Sequence, residues 1–78
     1  MKLQSRILLR PRSANYTPED LLLSYAREAK GEYVKAERCG AFGELRLIIS
    51  GETYRFHHWQ IDPFLGDVDM ITVFLEKL

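Results

Sequence analysis

The chain has 78 residues, 46% of them apolar and 28% charged, with eleven basic and eleven acidic side chains that sum to zero. That length holds one domain over residues 1–78 with no second core, and the aromatic content excludes a disordered chain. The single cysteine, Cys39, excludes an internal disulfide and fits a reducing compartment, while the neutral total argues against a dedicated nucleic-acid binder.

The first element is a strand over Lys2–Arg10, with Leu3, Ile7 and Leu9 on one side and Lys2, Gln4, Arg6 and Arg10 on the other. Charge interrupts this segment, so it lacks the apolar run of a signal peptide. No apolar stretch elsewhere approaches membrane-spanning length, and a cytoplasmic protein without membrane contact is expected. Pro11 ends the strand, and Ser13–Tyr16 connects it to a helix. That helix carries strong punctuation: Thr17 as N-cap, Pro18 at the first helical position, Glu19 and Asp20 in the first turn. It is expected to run to Lys30 and stop at Gly31. Leu21, Leu22, Tyr25, Ala26 and Ala29 share its apolar face, with Leu23 on the wet side.

Glu32–Cys39 reads as the second strand, followed by a four-residue Gly40–Gly43 turn. Val34 then lies opposite Ile49, Ala36 opposite Leu47, Lys35 beside Ile48 and Glu37 beside Arg46. Arg38 falls at the edge of the apolar face, where a long side chain can snorkel. Glu44–Ile61 reads as a hairpin around Ser50-Gly51-Glu52-Thr53, with Gly51 supplying a positive φ. This register sets Ile49 opposite Tyr54, Leu47 opposite Phe56 and Leu45 opposite His58 on the apolar face. The other face pairs Ile48 with Arg55, Arg46 with His57 and Glu44 with Trp59. A one-residue slip would bury Arg46 and Arg55, so the apolar pattern defends the choice of face.

The last segment admits two readings. Val68, Ile71, Phe74, Leu75 and Leu78 share one side of a helical wheel, yet Met70–Phe74 is rich in strand formers. The segregation of polar residues favours helix. The expected fold is a two-layer α+β domain, β-α-β-β-β-α. An antiparallel meander is covered on one face by helices, with residues 68–78 as helix or strand.

The uncovered face then collects Trp59, His57, Arg55, Arg46, Ile48 and Lys35 as a candidate binding surface. A tryptophan ringed by adaptable charge suits a protein contact, and the same set could stack a base and meet phosphates. The alternative is that Trp59 packs under Pro63-Phe64-Leu65 as core. His57 and His58 lie next to each other, and neighbours on a regular strand point to opposite faces, so they cannot converge on one ion unless a bulge intervenes. No catalytic residue, metal site or cofactor is expected: there is no phosphate loop, and zinc or calcium spacing is absent. Lys2, Arg6, Arg10 and Arg12 precede the first acid, Glu19, while Asp62, Asp67, Asp69 and Glu76 dominate the C-terminal stretch. Such asymmetry either steers partners, another copy included, or makes two solvated clusters.

Three functions are weighed on these residues. The first is a non-catalytic protein-binding or regulatory module, self-associating as a homodimer. The second is a single-stranded nucleic-acid or RNA-binding domain using the same face. The third is a small hydrolase or nuclease centred on His57.

Overall fold

Alternation of side chains in five segments builds one antiparallel sheet, and a single helix lies on it. In the computed structural model, which describes residues 3–12, 14–29 and 33–78, the elements run β1 (Leu3–Pro11), α1 (Pro18–Glu28), β2 (Val34–Cys39), β3 (Glu44–Ile49), β4 (Glu52–Leu65) and β5 (Val68–Lys77). The expectations for Lys2, Ser13, Lys30, Gly31 and Glu32 lie outside the described residues. The sheet order is β1-β5-β4-β3-β2, so α1 carries the chain from one edge strand to the other.

The α+β class and the antiparallel meander are present. The final helix is not: residues 68–77 form β5, an interior strand between β1 and β4. Its Ile71, Val73 and Leu75 are fully buried under α1, while Met70, Thr72 and Phe74 are half-buried on the opposite face. A strand lined by neighbours on both edges and apolar on both faces reads as an unbroken apolar run. That run also satisfies a helical wheel, which is why periodicity misassigned it.

Helix α1 begins where its punctuation places it. Thr17 is extended, and its Oγ1 accepts from the Asp20 amide at 3.1 Å. Leu21, Leu22, Tyr25 and Ala29 are buried against Leu8, Leu47, Tyr54, Ile71, Val73 and Leu75, and Leu23 stays exposed. Each buried aliphatic contributes about 1.5–3 kcal/mol relative to exposure. At eleven residues the helix is about 16 Å long, whereas the molecule extends 38 Å along its longest axis. The far end of the β4–β5 hairpin therefore extends beyond its cover, and residues 60–67 are exposed.

The β2–β3 register is the one expected, with Val34 opposite Ile49, Ala36 opposite Leu47 and a four-residue turn. Arg38, at the helix-side edge, forms an ion pair with Glu19 in the first turn of α1 and also donates to the Gly43 carbonyl at 3.1 Å. The Glu19 hydrogen bond and charge raise the Arg38 pKa.

The β3–β4 register differs by two residues from the expected one. Ile49 pairs with Glu52 and Leu47 with Tyr54, closing a two-residue Ser50-Gly51 loop. Both loop residues have positive φ, 51° and 82°, which is the type I′ arrangement that matches strand twist. A two-residue shift preserves the faces, so the buried set survives while the partners change. The described ladder also ends at Leu47–Tyr54, so Arg46 does not pair with His57, Leu45 with His58, or Glu44 with Trp59.

Gly51→Ala, which meets no atom within 4 Å, should cost roughly 1 kcal/mol through backbone strain alone. Ser50→Asn should raise stability in urea unfolding, because Asn tolerates the left-handed region better. Tyr54 is buried, its hydroxyl accepting from Gln4 Nε2 at 3.0 Å and donating to Glu52 at 3.3 Å. Burial first, then Glu52, raises its pKa, and Glu52 likewise raises that of Lys77. The neutral phenol and the charged amine thus add stability that is complete below their ordinary values of about 10 and 10.4 and is lost as pH rises above them. Alkaline titration of unfolding free energy should show a shallower decline in Tyr54→Phe.

Candidate functional site

Paired residues of an antiparallel sheet share a face, so the register assigns every strand residue to the helix side or the open side. Five of the six candidate binding residues avoid the helix side. Lys35 and Ile48 are a cross-strand pair on the open face, beside a depression of about 470 Å³ that Tyr33 and Gly51 help line. Arg46 follows along β3, and Arg55 lies opposite Glu76 of β5. Trp59 is the exception.

A bulge moves it. Phe56 pairs with Leu75 and His58 pairs with Phe74, leaving His57 as one extra residue in β4. From that point the alternation of β4 is reversed. His58 now belongs to the open face, where its ring stacks on Phe74 with centroids 4.4 Å apart and planes 6° from parallel. Trp59 pairs with Val73 on the helix side and packs against the core, its ring 5.5 Å from Phe56. The placement of Trp59 beside Arg46, Arg55 and His57 is therefore corrected: Trp59 is part of the core layer. The same bulge brings the two histidines together, with Nδ1 atoms 2.6 Å apart and ring centroids at 4.8 Å. One nitrogen must donate and the other accept.

The cations of the open face are already matched. Arg46 pairs with Glu44 at 3.2 Å, Lys35 with Glu37 at 4.0 Å, and Arg55 with the buried Glu76. Of the basic N-terminal residues described, Arg10 pairs with Glu28 and Arg12 with Asp69 at 2.9 Å, while the Arg6 guanidinium sits 5.0 Å above the Tyr25 ring. These pairs flatten the potential that a phosphate backbone would need.

What sequence reasoning missed lies on the other half of the open face. Leu3, Ile7 and Leu9 of β1 point away from the helix and are 42%, 58% and 46% exposed. Gln4, Arg6, Leu8 and Arg10 take the helix side instead, with only Leu8 fully buried. Across the ladder Ile7 meets Thr72, Leu9 meets Met70 and Ser5 meets Phe74. The row continues to the hairpin tip, where Leu9, Phe64, Leu65 and Val68 line a second depression of about 400 Å³, rimmed by Arg10 and Asp67. The alternation of Leu3, Ile7 and Leu9 was the available signal for this surface. Among the described residues, no group of three His, Cys, Asp or Glu could hold a metal, and no helix is long and apolar enough to cross a membrane.

The bulge makes a direct prediction. Trp59→Ala should destabilise the fold by about 2–3 kcal/mol in urea unfolding, less than a fully buried aromatic because Trp59 is only half-buried. An unchanged midpoint would show that Trp59 does not pack beneath the sheet. No protein-family model, no curated protein and no solved structure matches the chain.

Proposed function

We propose that the protein is a non-catalytic protein-binding module that self-associates through the apolar half of its open sheet face. The observation that carries this reading is the row of Leu3, Ile7 and Leu9 on an edge strand, backed by Met70 and Phe74. An apolar sheet face is stable when another layer covers it, and α1 covers only the opposite side. Contiguous exposed apolar surface rimmed by polar groups is typical of interaction sites. A two-fold axis brings the same patch of two copies together, so the apolar row can meet its own copy. A chain of this size also gains most from a partner that enlarges its core.

The nucleic-acid reading is weaker because Lys35, Arg46 and Arg55 each have a carboxylate partner. The hydrolase reading is weaker because His57 meets His58 rather than an acid that would orient it.

Sedimentation equilibrium tests the proposal. The parent chain should be dimeric at about 100 μM, an ordinary strength for a small interface. Ile7→Asp, on a residue 58% exposed, should leave the circular dichroism spectrum intact and weaken association at least about tenfold, about 1.4 kcal/mol. Leu23→Asp, on the wet side of α1, should change neither. A monomeric parent, or a dimer indifferent to Ile7→Asp, overturns this reading.

A further inference from the structure

We infer that His57 and His58 form half of a zinc site, which two copies of this chain complete across their open faces. The inference rests on the proposed self-association for its choice of face and partner. Adjacent residues of a regular strand diverge, so convergence of two imidazoles requires the bulge, and their Nδ1 atoms stand 2.6 Å apart. Among the described residues, neither Nδ1 is engaged by a carboxylate or a backbone group, and each meets the other. Rearrangement of the donor ring to its Nε2–H tautomer frees both Nδ1 lone pairs without releasing a proton.

Imidazole nitrogen is a preferred zinc ligand at about 2.0–2.1 Å, and two such ligands on a tetrahedral ion lie about 3.3 Å apart. The rings therefore need to open by about 0.7 Å from their present contact. His57 is exposed and able to rotate, whereas His58 is held by its stack on Phe74. The pair combines one fixed ligand with one adjustable ligand.

Two ligands leave zinc half-coordinated. Among the described residues no third His, Cys, Asp or Glu joins the pair, so one chain cannot close the site. A second copy related by a two-fold axis through the site brings a second His57–His58 pair. Four imidazoles then satisfy tetrahedral zinc. The contact of the two rings lies on the face proposed for self-association, beside Phe74 and Ser5.

Zinc chloride and EDTA are the probes, with isothermal titration calorimetry for stoichiometry and sedimentation for mass. The expected result is one zinc per two chains, and a dimer at least tenfold tighter with zinc than with EDTA. His57→Ala and His58→Ala should each abolish the zinc effect while preserving the EDTA dimer. Absence of zinc binding, one zinc per chain, or zinc binding retained in the double alanine variant overturns the inference. A dimer in EDTA that zinc leaves unchanged removes the metal site and retains the apolar interface. A zinc-dependent dimer that His57→Ala abolishes and Ile7→Asp does not touch retains the metal site and removes that interface. A chain monomeric in both solutions removes both.

Discussion

The single extra residue at His57 decides what each face of the sheet carries. A strand has a side-chain period of two, so one inserted residue exchanges every later side chain between the faces. Up to Phe56, β4 presents Tyr54 and Phe56 to the helix. Without the insertion, the next helix-side residue would be His58, and Trp59 would face solvent. With it, Trp59 follows Phe56 into the core layer and His58 settles on Phe74. The insertion thus places a large apolar ring where α1 can help to shield it and sets an amphipathic one on the open side. Burying a tryptophan rather than an imidazole favours this arrangement by the difference in apolar area.

β4 also continues well past its pairing with β3. The β3–β4 ladder ends at Leu47–Tyr54, three residues before His57, while β4 continues with β5 to the hairpin tip. The sheet consequently has two parts of different character. One is the β2–β3 region, where Lys35, Glu37, Glu44 and Arg46 form a charged open surface. Charges on β2 also protect that edge against pairing with another strand. The other is the β1–β5 region, whose open surface is apolar. Arg10 and Arg12 are fixed by Glu28 and Asp69 rather than left to attract partners, so folding answers two of the N-terminal charges.

Local punctuation made much of this architecture readable. Thr17-Pro18, the helix face of α1 and the β2–β3 register depend on contacts between residues close in sequence, and all were assigned correctly. The face of β3 was also legible, although the two-residue loop falls on Ser50-Gly51 rather than one residue later, which moves the β4 partners by two. Reading failed where long-range pairing decides. Nothing near Val68–Lys77 shows that β1 and β4 flank it on both edges, and an apolar run matches helix and interior strand equally well. For the site, Lys35, Ile48, Arg46 and Arg55 were found on the open face, but a bulge has no fixed sequence mark, so Trp59 was misplaced. The adjacent histidines were the visible trace of it, since a regular strand gives such a pair no shared environment.

The edge strand β1 shows why the apolar half of the open face is a feature of the fold rather than an accident of composition. Its helix side carries Gln4, Arg6 and Arg10, each occupied with Tyr54, Tyr25 or Glu28, and only Leu8 among them is apolar. The stronger hydrophobes, Leu3, Ile7 and Leu9, face outward. Flipping β1 by one residue would bury these three beneath α1 and release the polar set to water, which simple hydrophobic burial would favour. What opposes the flip is the network on the helix side. Gln4 reaches the hydroxyl of buried Tyr54, Arg6 covers the Tyr25 ring, and Arg10 meets the end of α1. Removing those groups would break a hydrogen bond, a cation–π contact and an ion pair, together worth about 1–3 kcal/mol. The polar network therefore fixes the direction of β1, and an exposed apolar row is the consequence that a second layer would resolve.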